Sequence, residues 1–328
     1  MEGRRETPGT MLWVTGTALL LSVFTVYLHL KELGRAYVLE YQVPRHLAML
    51  AGTAGNPWQY RVFSAWVVEG FHQALATVGI HDPLIAAFIA VRVLAETAMF
   101  IVAWRYWRSL DLSSAASFMG LALLGWSVSY SNFGSDLQFN TYFDVLFYLV
   151  AGWLVVRGRL GWLLPLTAVA ALNRETSGFI PLLALATWPG ATREARGHAL
   201  RMAAAGILIY AVMFIGLRLS YGKQELIVPY GHEPGLDLFM YNLTRARTWV
   251  QLVGTFSILP FMALAARSRW PAWLRSFFWM LVPAWLLVHW FGAVMSETRL
   301  LLVPLALAIL PAALFLLPGE VRREPARV

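Results

Sequence analysis

The sequence predicts an all-α polytopic membrane protein, a bundle of about ten transmembrane helices built as one integral membrane domain over residues 1–328. Hydrophobic residues make up 59% of the chain and the mean hydropathy is +0.59. Charged residues make up only 13%, about half of the roughly 25% typical of soluble domains. Stretches of about 20 mostly apolar residues recur along the chain, and each is long enough to cross ~30 Å of hydrocarbon.

The positions of the individual spans follow from arginine. Fifteen of the 26 basic residues fall in six short clusters, at 4–5, 105–108, 157–159, 193–201, 267–275 and 322–327. Clusters of this kind mark the cytoplasmic ends of spans. Placing all six inside puts both termini in the cytoplasm and predicts ten spans, at about 11–30, 83–104, 112–131, 140–156, 160–173, 177–189, 199–219, 246–266, 274–295 and 300–317.

This topology leaves two long regions outside, residues 31–82 and 220–245. The first is expected to contain amphipathic outer-face helices at 43–52 and 62–80. In the second of these, Glu69, Gln73 and Thr77 recur every four residues on one face, a pattern typical of a helix lying in the interface. An eleven-span topology, in which 62–80 crosses the membrane, is the alternative.

The predicted spans 160–173 and 177–189 are short and broken. Fourteen residues of helix rise only about 21 Å, so the turn between them should lie below the outer surface. Irregular backbone at that depth is tolerated where it is buried in protein or lines a water-filled cavity. The sequence therefore predicts a cavity that opens outward.

The net charge of +8 indicates contact with the lipid bilayer rather than with nucleic acid. The basic residues lie at helix ends and do not form one patch with stacking aromatics, so their partners are anionic lipid headgroups. The chain has no cysteine, which excludes disulfides and thiolate chemistry. It also has no P-loop, GxSxG or HExxH motif in a usable context. The pattern gives no indication of protein partners.

The first outer region carries several candidate residues. Glu40 stands about ten residues after the first span and could act as a general base. The run Gln59-Tyr60-Arg61 combines an aromatic face suited to sugars with a guanidinium suited to phosphate. Glu69 and His72 could support such a site. The alternatives are a solvated loop and an interfacial aromatic belt.

The fourth predicted span begins with Asp136, Asn140 and Asp144, which are spaced i, i+4, i+8 and share one helical face. Asp144 lies inside the membrane segment, where an ionisable group is a functional hypothesis by default. Two carboxylates could hold a divalent cation through oxygen ligands, but this spacing is not specific for a metal. Metal binding is left open, and a helix-packing network is the alternative.

The most informative motif is Asn173-Arg174-Glu175-Thr176. Three consecutive polar residues cannot share a helix face, so they must cap and line a turn. A buried Arg174 needs an anion, which could be Glu175, Asp144 or a bound phosphate. Glu297 and Arg299 place an acid and a base together again, at the last outer hairpin. The alternative is that they only form a solvated turn.

Taken together, the outer loop with Glu40, the short spans around a cavity, and the hairpins at 173–176 and 296–304 resemble the GT-C superfamily of membrane glycosyltransferases. The resemblance covers the architecture of nearly the whole chain and extends to bacterial plasma-membrane proteins placed near that superfamily. It implies transfer of a sugar from a polyprenyl-phosphate donor at the extracytoplasmic face, with Glu40 as base and with Arg61 and Arg174 holding the lipid phosphate. A departure is that Tyr41, and not a second acid, follows Glu40.

The predicted site residues fall into three groups. The predicted catalytic residues are Glu40 and Asp144; the predicted lipid-phosphate ligands are Arg61, Asn173, Arg174, Glu175 and Arg299; the predicted supporting residues are Gln59, Tyr60, Glu69, His72, Asp136, Asn140 and Glu297. No cofactor beyond the possible cation is indicated. Two other classes stay open, a transporter or flippase for a lipid-linked or anionic substrate and a non-catalytic subunit of a polysaccharide or glycolipid assembly complex.

Overall fold

Helix is the dominant structure of this chain. The computed structural model describes residues 7–133, 138–228 and 231–318, and over those ranges it contains no β-strand, only an isolated bridge between Asn56 and Leu226. The α-helices are α1 (Pro8–Tyr37), α2 (Val43–Ala51), α3 (Val62–Thr77), α4 (Pro83–Ser109), α5 (Ser114–Tyr130), α6 (Phe139–Val156), α7 (Leu163–Ala171), α8 (Arg193–Tyr221), α9 (Leu236–Thr244), α10 (Ala246–Phe256), α11 (Leu259–Ala265), α12 (Ala272–Gly292), α13 (Leu302–Pro304) and α14 (Leu310–Leu314). Segments of 3-10 helix cover Trp58–Tyr60, Leu160–Trp162, Glu175–Phe179, Pro181–Thr187, Arg267–Arg269 and Thr298–Leu301, and π-helical turns cover Val38–Gln42 and Leu305–Ile309.

Within the described ranges, five helices are long and apolar enough to cross a membrane, which supports a helical membrane bundle. They are Pro8–Ala51, Pro83–Ser109, Phe139–Val156, Arg193–Tyr221 and Ala272–Gly292. A sixth span results if α10 and α11, bent by 59° at their junction, are counted as one. The remaining predicted spans are shorter or interrupted: α5 has 17 residues, α7 has nine, and the 3-10 segment Pro181–Thr187 replaces an α-helix. Ten spans therefore stay a prediction.

The first helix continues beyond its predicted end at residue 30. Thr7 caps it by accepting a hydrogen bond from the Thr10 amide at 3.3 Å, and Pro8 opens it. Gly34 interrupts the helical backbone with φ 75° and ψ 162°, a conformation that glycine adopts without a Cβ penalty. The rod then passes through the π-helical turn Val38–Gln42 into α2. The region 31–82 is thus largely helical, with helices close to both predicted amphipathic positions.

The segment from residue 298 to residue 315 forms the centre of the bundle. All residues from 298 to 315 are buried, and the segment Thr298–Leu314 is apolar along most of its length. A helix that is hydrophobic all round can be stable only when neighbours surround it. Close packing needs small partners, and Gly152 of α6 meets this need, because a Cβ there would lie 2.4 Å from Leu307 Cδ1.

Two prolines in this central segment leave carbonyl oxygens without their helical donors. A proline has no N–H, so the carbonyl four residues earlier loses its helical partner. Pro304 therefore leaves the Leu300 oxygen without its helical donor, and Pro311 does the same to the Leu307 oxygen. The Leu300 oxygen accepts from Trp285 Nε1 at 2.8 Å, and the Leu307 oxygen accepts from the Tyr106 hydroxyl at 2.7 Å. Aromatic donors on surrounding helices therefore satisfy backbone groups that water cannot reach.

Candidate functional site

Charged residues from distant parts of the sequence meet where several helices end. Three ion pairs form there, Arg61–Glu175, Arg174–Asp144 and Arg299–Glu297. Arg174 interacts electrostatically with both Arg61 and Arg299, so the three pairs make up one group. We call these six residues the arginine cluster. The cluster joins the runs predicted separately at 59–61, 173–176 and 296–299.

The backbone conformation of Arg174 explains which residues of the arginine cluster pair with each other. Arg174 is extended, with φ −162° and ψ 148°, and in extended backbone successive side chains point to opposite sides. Arg174 Nη1 accordingly donates to Asp144 Oδ2 at 3.0 Å, while Glu175 faces Arg61. Of the two carboxylates considered as partners for Arg174 from the sequence, Asp144 is the one to which it donates.

The pair of Arg174 and Asp144 is sealed inside the protein. Their side chains are 4% and 2% exposed. Asn173 fastens the same turn to α6 by donating from Nδ2 to the backbone oxygen of Asn140 at 2.8 Å. The Tyr210 hydroxyl, on α8, donates to the Glu175 backbone oxygen of this turn at 2.7 Å. These contacts fix the turn and bury the Arg174 side chain against α6.

Arg61 is placed differently. Its Nε and Nη2 donate to Glu175 Oε2 at 3.1 and 2.8 Å. Nη1 makes no hydrogen bond to any residue that the structure describes. Burial alone would raise the pKa of Glu175, but the Arg61 guanidinium and its hydrogen bonds outweigh this and hold the pKa below its ordinary value. Glu175 is therefore a carboxylate that orients Arg61 and leaves one nitrogen of the guanidinium open.

A small polar cavity opens beside Arg61. It has a volume of about 30 Å³, room for about two water molecules. The guanidinium carbons of Arg45 and Arg61 lie 4.7 and 5.3 Å from the Trp58 ring centre, so one indole stacks with two cations. We call this space the Trp58 cavity; its lining includes Gln42, Arg45, His46, Trp58, Arg61 and Asn140.

Unsatisfied amide groups line the same cavity. Asn140 is 3% exposed, and neither its side-chain nitrogen nor its oxygen has a partner among the described residues. Gln138 Nε2 is in the same state within that part of the chain. Buried polar atoms nearly always find hydrogen bonds. Their presence at a cavity wall indicates that a polar ligand or water completes the site.

A histidine that the sequence reading did not single out also lines this cavity. His46 is 5% exposed, and its Nε2 lies 3.2 Å from Glu69 Oε2. Glu69 also receives Gln73 Nε2 at 3.0 Å and lies 3.2 Å from His72 Nδ1. Burial alone would raise the pKa of Glu69. The hydrogen bonds from Gln73, His46 and His72 outweigh this effect and hold the pKa below its ordinary value. The 23-residue gap between His46 and Glu69 gives no local sequence signal.

Several predicted site residues lie elsewhere. Glu40 is exposed on the π-helical turn Val38–Gln42, has no partner in the described ranges and does not line the Trp58 cavity. Gln59 is buried and structural: its Oε1 accepts from the Ala54 amide and its Nε2 donates to the Met49 oxygen. Asp136 lies outside the described residues. Among those that are described, no group of three or more His, Asp or Glu side chains could hold a metal ion.

A second and larger space, which we call the Tyr60 cavity, is lined in part by residues that precede Arg61. It has a volume of about 570 Å³ and is lined by Asn56, Tyr60, Arg218, Lys223, Gln224 and Glu225 among others. The Arg218 guanidinium carbon lies 4.5 Å from the Tyr60 ring centre. The Tyr60 hydroxyl donates to the Gly222 oxygen at 2.7 Å and accepts from the Gln224 amide at 3.2 Å.

The chain after α8 is tied to the Arg61 turn at a second point. Asn56 donates from its amide to the Glu225 oxygen at 2.8 Å and accepts from the Ile227 amide at 2.9 Å. Gly55 makes this approach possible, because a Cβ there would lie 2.8 Å from Ile227 Cγ1. The region 220–245 contains the end of α8, at Tyr221, and the whole of α9, Leu236–Thr244.

Comparison with models of protein families, with curated proteins and with solved structures finds no match.

Proposed function

We propose that this protein is a membrane-embedded glycosyltransferase that moves a sugar from a polyprenyl-phosphate donor to an acceptor hydroxyl at the extracytoplasmic face. The finer topology of ten spans, with both termini cytoplasmic in a bacterial plasma membrane, is part of the proposal. The observation that carries it is the Trp58 cavity, where two guanidinium groups, an aromatic face and unsatisfied amides share one small space.

The chemistry of this cavity suits a phosphate attached to a sugar. Arg61 keeps Nη1 open while Glu175 fixes its orientation, and Arg45 offers a second cation across Trp58. A guanidinium matches phosphate geometry, and an indole face packs against sugar rings. Because the cavity is narrow, it would receive the phosphate group while the rest of the donor stays outside.

The same cations would assist the reaction. When the bond between the anomeric carbon and the phosphate oxygen breaks, negative charge builds up on the leaving phosphate. Cations fixed beforehand at that position stabilise the transition state more than the ground state, which lowers the barrier. In this proposal Arg174 and Asp144 act by holding the turn that carries Glu175, and Glu40 has no assigned contact with the donor.

The test is native mass spectrometry of the full chain purified gently from its membrane. Wild-type protein should carry a polyprenyl phosphate or its glycoside, and Arg61→Gln should lose most of it. Arg45→Gln, a second variant of the same cavity, should weaken retention as well. The matched control is Arg35→Gln, because Arg35 is 78% exposed and its loss removes the same charge.

Two outcomes would contradict the proposal. One is bulk phospholipid alone in the wild type; the other is equal retention of the polyprenyl lipid by Arg61→Gln and Arg35→Gln. Purified wild type should also release polyprenyl phosphate from a synthetic polyprenyl-phosphate hexose or pentose when membrane extract supplies the acceptor.

A transporter for an anionic lipid is the second candidate, and the break between α10 and α11 favours it. Discontinuous helices commonly form substrate sites in transporters. The two candidates differ in the fate of the donor. A transporter would move a labelled polyprenyl-phosphate sugar across a vesicle membrane unchanged, whereas a transferase would separate the sugar from the phosphate.

A further inference from the structure

We propose that the Tyr60 cavity binds the phosphate group of an anionic phospholipid from the surrounding bilayer. This inference stands apart from the proposed transferase and concerns residues that the donor site does not use. The cavity joins the end of α8 to the residues that precede Arg61.

Two cations line the cavity, Arg218 and Lys223. Neither forms an ion pair with any residue in the ranges that the structure describes. Arg218 Nη1 donates to the Phe214 backbone oxygen at 3.3 Å, which uses one of the five N–H donors of a guanidinium. The described lining holds one acid, Glu225, against the two cations. The cavity is therefore positively charged and suits an anion.

Arg218 is oriented by two aromatic rings. Its guanidinium carbon lies 4.5 Å from the Tyr60 ring centre and 3.4 Å from the Phe214 ring centre. The Tyr60 ring is fixed in turn, because its hydroxyl bonds to the Gly222 oxygen and the Gln224 amide. A guanidinium that lies over aromatic faces keeps its in-plane N–H groups available for a bidentate acceptor such as phosphate. Arg218 is thus held in place before a ligand arrives.

The position of the cavity on α8 points to the bilayer as the source of the phosphate. One face of this helix carries apolar side chains that are more than half exposed and recur every three or four residues, Leu208, Val212, Ile215 and Leu219. The 29 residues of α8 rise about 43 Å, more than the ~30 Å of hydrocarbon. A crossing helix of this length ends among lipid headgroups, and Arg218 lies in its last turn. Cations at this level attract anionic lipids.

The size and shape of the cavity suit a lipid headgroup. Its volume of about 570 Å³ falls in the range of roughly 300–1,000 Å³ that is usual for small-molecule sites. Leu226, which is 47% exposed, adds an apolar wall. The phosphate and glycerol would occupy the cavity, and the acyl chains would lie along the apolar face of α8.

The experiment is native mass spectrometry of the full chain in mixed micelles, titrated with phosphatidylglycerol or with phosphatidylcholine. The wild type should retain one phosphatidylglycerol in preference to phosphatidylcholine. Arg218→Gln should lower the affinity for phosphatidylglycerol about tenfold or more, because charge-assisted hydrogen bonds are lost. Lys223→Gln, an exposed position, gives a second variant if Arg218→Gln does not fold. Arg201→Gln is the matched control, because it removes the same charge from an exposed position nearer the start of α8.

Equal affinity of Arg218→Gln, Lys223→Gln and Arg201→Gln for phosphatidylglycerol would overturn the proposal. Displacement of the lipid by inorganic phosphate at a similar concentration would show a site for free anions and overturn the lipid assignment. The donor site gives an independent reading. Arg218→Gln should still retain the polyprenyl lipid, and Arg61→Gln should still retain phosphatidylglycerol, so either proposal can fail without the other. Loss of the polyprenyl lipid alone from Arg218→Gln would assign the Tyr60 cavity to the donor and overturn this inference.

Discussion

Replacement of Arg174 by methionine tests whether the pair with Asp144 is structural. The two side chains are 4% and 2% exposed and their charged atoms lie 3.0 Å apart. Removing one partner of a buried pair leaves the other charge uncompensated, which costs about 3–5 kcal/mol. Replacing both residues by apolar ones of similar volume removes the uncompensated charge. We therefore expect Arg174→Met to destabilise strongly, and Arg174→Met with Asp144→Leu to be more stable than the single variant.

The assay is reversible unfolding of the full chain in mixed detergent micelles, followed by circular dichroism. A difference of 3–5 kcal/mol shifts the equilibrium by about two to three and a half orders of magnitude, since each 1.4 kcal/mol is a factor of ten. The control is the exposed pair Arg35–Asp82, whose atoms lie 3.8 Å apart, and Arg35→Met should change stability by less than about 1 kcal/mol. If Arg174→Met unfolds like the control, Arg174 is not held by Asp144 and the argument that the turn is structural fails.

Three further predictions concern the core and the cluster. Tyr106→Phe should destabilise by about 1 kcal/mol in the same unfolding assay, because the Leu307 oxygen would lose the donor that replaces its missing helical partner; no change would mean that the oxygen finds another donor. Gly152→Ala should destabilise by about 1–3 kcal/mol through crowding against Leu307, and full stability would show that the central segment can move aside. Glu175 has a lowered pKa in the folded protein, held down by Arg61, so its contribution is fully present above the unfolded value of about 4.3 and is lost as the pH falls through the folded value. Melting temperatures measured from pH 6 down to pH 2 should therefore fall less steeply for Glu175→Gln than for the wild type, and parallel curves would contradict that assignment.

Much of the site was predictable from the sequence because its charged runs stand at helix ends. Polar residues in a membrane bundle are costly in lipid, so they gather where connections meet. Arg61, Glu175 and Arg174 were all identified in this way. The pairing of these residues could not be predicted, since it depends on the extended backbone at residue 174. That conformation directs neighbouring side chains to opposite sides.

His46 and the number of spans show where sequence patterns stop being informative. The partner of His46 lies on another helix, 23 residues away, so no spacing rule joins them. Apolar length predicts a span only when the helix is continuous. Around residues 160–187 the backbone changes between 3-10 and α-helix, and hydropathy does not register that change.

The double attachment of the chain after α8 limits how its length can vary. Asn56 uses both its amide and its carbonyl to hold residues 225 and 227, and Tyr60 holds residues 222 and 224. Inserting one residue between Gln224 and Glu225 would put the two attachments out of phase, because only one could keep its partners. The turn carrying Arg61 would then shift, although no residue of either cavity's polar lining had been replaced. We expect the stretch 222–227 to tolerate side-chain changes on its exposed side far better than any change in length.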